Sequence, residues 1–175
     1  MDVNVRDVVS SVVFYAGVVV VTLLLIRVGT TYGWEKVDEQ SREMAPRLKP
    51  GQYTWINKRQ RRPQQLAYDD IIVYKRPLWK QGPSDHEFGR VVGKPGDLVE
   101  VREGEFYRAE RRGGKLGPKE RITQHYVQSR RQPKEFSEFI VPHNTVFVLY
   151  DVRSTNVPLR DLIVPLRSIR GKVIY

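Results

Sequence analysis

The longest apolar stretch of the chain lies near its N-terminus. Nineteen consecutive positions, residues 8–26, carry no charged side chain: VVSSVVFYAGVVVVTLLLI. A helix of this length spans about 28 Å, close to the ~30 Å hydrocarbon core of a bilayer. The residues that follow, 27–32, offer no small-residue cleavage site typical of a secretory signal. The pattern therefore predicts a transmembrane helix at 8–26, after a short N-terminal tail at 1–7.

The pattern changes to short strands after this helix. Residues 27–43 are polar and mixed in charge, which predicts a connector. Beyond them, short apolar runs alternate with Gly, Pro and Asp, which is typical of strands joined by turns. The predicted strands cover residues 52–57, 70–75, 88–93, 98–101, 105–108, 146–150 and 172–175. The pairs Gly113–Gly114 and Gly117–Pro118 predict a loop or an exposed hairpin. The fold class is mostly β, with folded antiparallel sheets or a barrel over 44–175, preceded by one transmembrane helix.

Positive charge is concentrated in the β-rich part. The chain has a formal net charge of +10, and residues 108–134 hold nine Lys or Arg against two acids. We predict a basic loop or hairpin insertion there, which would be attracted to anionic lipid headgroups. An ordinary solvated surface and a nucleic-acid site are the alternatives, although no known nucleic-acid motif accompanies it.

Cysteine is absent from the chain. Its absence excludes disulfides, thiolate metal sites and Cys nucleophiles. We predict neither a cofactor nor a metal site.

Four sequence blocks follow the apolar stretch in a fixed order. They are SREMAPRLKPG at 41–51, DDIIVYKRP at 69–77, RVVGKPGD at 90–97 and YDVRSTNVPLR at 150–160. In this order they resemble the type I signal peptidase family, the membrane-anchored serine proteases that remove signal peptides. The third block is the most specific, and together with the N-terminal helix the resemblance spans nearly the whole chain.

The resemblance implies a catalytic site whose two principal side chains are missing. In the family, a Ser before Met attacks the peptide carbonyl, and a Lys before the Arg of the third block takes its proton. That Lys must be neutral, which burial favours. By position, the nucleophile is replaced here by Glu43 and the base by Gly89. Ser41 falls at the family's oxyanion-hole Ser. We therefore expect a catalytically degenerate member.

The fourth block differs from the family in the same direction. Tyr150 replaces its opening Gly, Asn156 the Ser that orients the Lys, and Pro158 the acid that pairs with Arg160. Residues expected to shape the peptide groove and the scaffold remain. These predicted site residues are Ser41, Met44, Pro46, Arg90, Asp97, Asp151, Arg153 and Arg160.

An active enzyme with displaced groups is the alternative hypothesis. Ser41 would be its nucleophile, lying on the same face of a strand as position 43. Lys94, Lys75 or His86 would then be the base. We expect Lys94 to be solvated in a turn and His86 to be exposed in a polar loop, and both expectations count against this hypothesis.

The leading hypothesis is a non-catalytic protein of the cell membrane. It would cross the bilayer once, with its β-rich domain on the extracytoplasmic face, although the positive-inside rule does not decide the orientation. It would bind signal-peptide-like extended segments by strand addition, or associate with an active signal peptidase or a secretion component. One or more of three tryptophans is expected at the bilayer interface, with a core position as the alternative for Trp55. They are Trp34, Trp55 and Trp79.

Overall fold

Within the described residues, one α-helix, eleven strands and four short 3₁₀ helices form the regular structure. The computed structural model describes residues 5–80, 84–103, 105–122, 136–152 and 157–174. The helix α1 spans Val5–Thr31. The strands are β1 Tyr32–Lys36, β2 Tyr53–Asn57, β3 Ile71–Lys75, β4 His86–Gly93, β5 Leu98–Arg102, β6 Glu105–Arg112, β7 Lys115–Arg121, β8 Phe136–Ile140, β9 Thr145–Leu149, β10 Ile163–Pro165 and β11 Ile169–Ile174. Short 3₁₀ helices cover Glu39–Met44, Pro63–Gln65, Leu159–Leu162 and Leu166–Ser168.

The N-terminal helix is longer than the apolar run predicted. Its stretch Val9–Thr31 has a mean hydropathy of 2.5 and is long and apolar enough to cross a membrane. The predicted end at residue 26 is wrong, because α1 continues past Arg27 to Thr31. A helix satisfies its own backbone hydrogen bonds, and a long Arg side chain can extend towards the headgroups, so one charge does not end it.

The predicted connector at 27–43 is wrong, because it contains a strand. Strand β1 begins directly after α1 and pairs antiparallel with β2, which places Trp34 opposite Trp55. The centroids of the two indole rings lie 5.1 Å apart. Trp34 is 66% exposed and Trp55 is 54% exposed, so Trp55 is not a core residue. Because β1 is an edge strand with one partner, cross-strand pairs stabilise it rather than an apolar core face.

The strands form two antiparallel sheets. The larger has seven strands in the order β1-β2-β11-β3-β4-β9-β10, and the smaller has four in the order β7-β6-β5-β8. One buried cluster draws side chains from both sheets and includes Met44, Phe88, Phe106 and Phe147. These two packed antiparallel sheets confirm the predicted mostly β class.

The strands predicted from short apolar runs are all present, with ends that differ from the prediction by at most four residues in the described part of the chain. Of the two alternatives predicted for the Gly113–Gly114 and Gly117–Pro118 pairs, the exposed hairpin is confirmed: β6 pairs with β7, all of whose residues are exposed, and Gly117 and Pro118 lie within β7. A Pro is tolerated there because β7 is an edge strand. Gly113 and Gly114, which have φ of 57° and 83°, make the turn that joins β6 to β7.

The turn of the third block is held by one buried carboxylate. Asp97 is 2% exposed and accepts hydrogen bonds from the Lys94 amide at 2.7 Å, the Tyr68 hydroxyl at 2.8 Å and the Arg111 amide at 2.9 Å. Its oxygens are therefore used to fix the chain, as expected for a scaffold residue.

Candidate functional site in the cavity beside Glu43

Glu43 lies on the 3₁₀ helix Glu39–Met44. Asp38 precedes this helix, and its Oδ1 accepts hydrogen bonds from the Ser41 amide at 3.1 Å and the Ser41 hydroxyl at 2.7 Å. The strand geometry expected for residues 41 and 43 is wrong. A 3₁₀ helix has three residues per turn, so residues two apart do not share a face.

Neighbouring elements hold this helix against the larger sheet. Met44 is fully buried in the cluster that also contains Phe88 of β4. The Glu43 carbonyl accepts a hydrogen bond from the Val152 amide at 2.6 Å. The first block therefore lies next to the fourth block, although 98 residues (52–149) separate them in sequence.

A cavity of about 310 Å³ opens beside Glu43. Polar and ionisable groups form part of its wall, and Met44 and Phe88 supply an apolar part. The lining residues are Ser41, Glu43, Met44, Arg76, Lys80, Glu87, Phe88 and Tyr150. The structure thus brings the position of the family's nucleophile together with Tyr150, which replaces the Gly of the fourth block.

Glu87 is the centre of an ionic network in this cavity. Its Oε1 lies 3.0 Å from Arg76 Nε and 2.9 Å from Lys80 Nζ. The hydroxyls of Tyr74 and Tyr150 both donate to its Oε2 at 3.3 Å. Arg76 Nη2 also lies 3.8 Å from Asp38 Oδ2. The Glu87 carboxylate therefore contacts two cations and accepts hydrogen bonds from two phenolic hydroxyls. These contacts hold the wall of the cavity in place.

Lys80 extends its ammonium into the cavity from the loop after β3. Its Nζ donates to the Tyr150 hydroxyl at 3.2 Å and lies 5.3 Å from the centroid of that ring. Burial alone would lower the pKa of Lys80, but Tyr150 and Glu87 together raise it to about 12. The ammonium keeps its proton near neutral pH and cannot act as a general base there.

The carboxylate of Glu43 stands apart from this network. Within the described part of the chain, it makes no hydrogen bond and no ion pair shorter than 4.0 Å. Burial raises the pKa of Glu43, the ammonium of Lys80 opposes that increase, and the charge of Glu87 adds to it. Glu43 is thus a half-buried acid that feels the charge of Lys80 but makes no hydrogen bond or ion pair with a described residue.

The position of the family's general base is closed by packing. Gly89 lies in β4 opposite Ile72 of β3. A Cβ added at Gly89 would lie 3.0 Å from both Cβ and Cγ2 of Val148 and 3.3 Å from the Tyr74 ring. Such distances are tighter than ordinary van der Waals contact, so a side chain at this position would require Val148 and Tyr74 to shift by a few tenths of an ångström.

The displaced-catalysis hypothesis finds no matched base. The hydroxyl of Ser41 donates to Asp38, and none of the three candidate bases is among its hydrogen-bond partners in the described residues. Lys75 is exposed, and Lys94 lies over the Tyr68 ring at 4.5 Å. The expectation of an exposed His86 is wrong. This residue is 8% exposed and begins β4, where its Nε2 lies 3.0 Å from the Lys36 carbonyl.

The other predicted site residues divide between scaffold and surface. Arg90 and Asp151 form a buried ion pair with 2.6 Å between Nη2 and Oδ2. Pro46 is exposed. Arg160 is also exposed and has its Nε 3.7 Å from Asp161 Oδ1. The predictions for Arg153 and Asn156 lie outside the described residues.

Sequence reasoning missed the two ions that dominate the cavity, Lys80 and Glu87. Neither belongs to a quoted block, because Lys80 follows the second block and Glu87 precedes the third. A local signal was available only for Glu87. It lies two residues before Gly89 on the same strand, and alternate residues of a strand share a face.

In the described residues, one helix that is long and apolar enough to cross a membrane precedes a β-rich domain of two antiparallel sheets, which is the architecture of a single-pass membrane protein. The profile of the family described as "Signal peptidase, peptidase S26" matches residues 10–172. The chain belongs to the signal peptidase family, which confirms the resemblance seen in the four blocks.

Curated relatives of the chain come from Staphylococcus aureus. Proteins of three strains, each named "Inactive signal peptidase IA", are 31% identical to it over 109 residues. The match covers 62% of this chain and 58% of the length of each relative.

Proposed function

We propose that this chain is a membrane-anchored, non-catalytic member of the signal peptidase family that binds extended polypeptide segments. One observation carries the proposal. Glu43 stands at the nucleophile position beside an open cavity, whereas the base position, Gly89, is closed by Val148 and Tyr74. Substrate space remains without the groups that would cleave a peptide.

Three features support the absence of peptidase activity. A carboxylate attacks amides poorly, and no second carboxyl lies within hydrogen-bond distance of Glu43 in the described residues to form an acid–base pair. Lys80 is the side chain in this cavity that could serve as a general base if it were neutral. Its pKa of about 12 keeps it protonated. The printed name of the Staphylococcus aureus relatives, "Inactive signal peptidase IA", agrees with this proposal.

Binding of an extended segment is supported by the cavity beside Glu43, which Glu87 and Phe88 of β4 help to line. This strand pairs with β3 from His86 to Arg90, whereas its ladder with β9 begins only at Arg90. The first part of β4 thus has one strand partner among the described residues. All eight residues of β4 are buried and the 3₁₀ helix Glu39–Met44 packs beside the strand. A bound segment would therefore reach this site by placing side chains in the cavity.

Anchoring to the bilayer is the second part of the proposal. Helix α1 leads directly into β1, and exposed Trp34, Trp55 and Tyr53 lie within the first two strands. Tryptophan and tyrosine favour the membrane–water interface. We place the β-rich domain on the extracytoplasmic face. Protease added outside intact spheroplasts should degrade the domain, and complete protection would contradict this orientation.

The basic segment gives less support to a lipid or nucleic-acid tether. In its described part, Arg112 pairs with Glu110 and Arg121 with Glu105, each at 2.6 Å. Lys119 pairs with Glu100 and Glu138. Local acids thus compensate several of the bases, which favours a solvated surface. Binding to anionic vesicles or to nucleic acid that weakens steeply with salt would support a tether instead.

The proposal is tested with the full chain in detergent and a preprotein that carries an intact signal peptide. We expect association without cleavage. Glu43→Arg fills the cavity and should weaken association at least about tenfold, equivalent to ~1.4 kcal/mol. Glu39→Arg is the matched control, because Glu39 is exposed on the same 3₁₀ helix.

Two results would overturn parts of the proposal. Site-specific cleavage that disappears in Ser41→Ala would restore the active-enzyme hypothesis. Absence of association, with a folded protein by circular dichroism, would remove the binding function. Association with an active signal peptidase or a secretion component would then be the remaining form of the hypothesis, to be tested by crosslinking in membranes.

A further inference from the structure

Among the described residues, the charged side chains that line the cavity, taken together with Asp38, are balanced with one exception. Asp38 and Glu87 are the anions that face Arg76, and Glu87 also binds Lys80. Two carboxylates and two cations therefore form a neutral set. Glu43 adds one further negative charge to the same wall.

Glu43 is not needed to hold the cavity together through its side chain. Its carbonyl makes the bond to Val152 that ties the 3₁₀ helix to the chain after β9. The carboxylate makes no hydrogen bond or ion pair within the described residues. A half-buried carboxylate without a partner is unfavourable in an isolated protein, and a ligand cation would remove that cost.

The cavity also fits the stem of a long basic side chain. Its volume of about 310 Å³ is at the lower end of the ~300–1,000 Å³ typical of small-ligand sites. Met44 and Phe88 provide apolar wall for methylene groups, while Glu43 provides a carboxylate beside them. Lysine and arginine side chains bury their stems on apolar surface and keep their charged ends paired.

We propose that Glu43 recognises a cationic group, the ammonium or guanidinium of a Lys or Arg side chain within a bound extended segment. This inference rests on the proposed binding function and specifies its ligand. Lys80 does not exclude a second cation from the cavity, because Glu87 already compensates its ammonium through contacts at 2.9 and 3.0 Å. Recognition thus depends on charge at a position where catalysis in this family requires a hydroxyl.

The test compares two short peptides that differ in a single group. Both alternate Ala and Thr and have blocked ends. One has a central lysine and the other has norleucine, which keeps the methylene stem without the charge. Isothermal titration calorimetry with the full chain in detergent gives the Kd of each peptide. We expect the lysine peptide to bind about tenfold more tightly, equivalent to ~1.4 kcal/mol.

The variant Glu43→Gln keeps the shape of the side chain and removes its charge. It should bind the two peptides equally, whereas Glu39→Gln should keep the preference of the parent protein. Circular dichroism establishes that each variant is folded, and the comparison of peptides on the parent protein does not depend on any variant.

The outcomes separate this inference from the proposed function. Equal binding of both peptides to the parent protein, or a lysine preference that survives Glu43→Gln, overturns recognition by Glu43 and leaves peptide binding intact. Absence of binding by either peptide overturns the inference together with the binding function on which it rests.

Discussion

The ion pair between Arg90 and Asp151 offers the sharpest test of the structure, because it joins the third sequence block to the fourth. Arg90 donates through Nε at 2.8 Å and Nη2 at 2.6 Å to the two oxygens of Asp151, and through Nη1 at 2.7 Å to the Asp69 carbonyl. The side chains are only 5% and 1% exposed. This pair is therefore bidentate and almost wholly desolvated.

Replacement of Asp151 by alanine should be strongly destabilising. Two charge-assisted hydrogen bonds, each contributing about 1.5–3 kcal/mol, would disappear and leave the Arg90 guanidinium buried without its carboxylate. We expect the free energy of unfolding to fall by about 3–5 kcal/mol. The double variant Arg90→Met/Asp151→Leu removes both charges and should be less unstable than the sum of the singles, with a coupling of about 2–3 kcal/mol.

Urea unfolding of the full chain in detergent, followed by far-UV circular dichroism, measures these changes. The matched control is Arg121→Ala. Arg121 also lies 2.6 Å from a carboxylate, that of Glu105, but its side chain is 55% exposed. An exposed pair contributes about 0–1 kcal/mol. Equal losses for the buried and exposed pairs, or additive losses in the double variant, would refute the argument that burial determines the effect.

Three further predictions concern the site and the sheet. Gly89→Lys should lower the free energy of unfolding by about 1–3 kcal/mol through overpacking. The same crowding should prevent Glu43→Ser/Gly89→Lys from cleaving a preprotein. Cleavage by this double variant would contradict the closed base position. Gly171→Ala should lower the thermal midpoint far more than Gly117→Ala, because its Cβ would meet the Asn57 carbonyl oxygen at 2.7 Å; equal midpoints would refute this packing. Glu43→Gln should stabilise the protein slightly at neutral pH, because it removes a half-buried charge. Its parent carboxyl has a raised pKa, so the gain should vanish as the pH falls below the unfolded-state value, and a gain that persists in acid would refute it.

Strands and turns were predictable because their signals are local. Val73 and Val148 lie in continuous apolar runs that are buried in the sheet. Asp97 closes a Pro-Gly-Asp turn in which Gly96 has a φ of 88°, a conformation that glycine adopts without strain. Such preferences act within a few residues, so the sequence contains them in readable form.

The ends of α1 and the start of β1 were not predictable from apolar runs. Arg27 ends the uncharged run, so the prediction ended the helix at residue 26. A helix can continue past one charge as long as its backbone groups hydrogen-bond to one another. Strand β1 has the sequence YGWEK, and Tyr32, Trp34 and Lys36 are exposed. Its pairing with β2 depends on contacts with residues about twenty positions away, which a local pattern cannot represent.

The site itself was only half readable, because substitution at a motif reveals a loss and not its replacement. Glu43 and Gly89 indicated that the family's nucleophile and general base were missing. The sequence did not indicate that Tyr74 and Val148 close the space at Gly89, or that Lys80 inserts an ammonium from outside the motifs.

These changes depend on one another physically. Lys80 in the cavity requires Glu87 to compensate its charge, and Tyr150, where the family has glycine, supplies the hydroxyl that accepts from its Nζ. A lysine reintroduced at Gly89 would therefore meet a packed wall on the strand that carries Glu87, near an existing ammonium, and not an empty pocket. Restoring catalysis would therefore require repacking around Gly89 as well as a serine at position 43, so the packing supports a non-catalytic member independently of the missing serine.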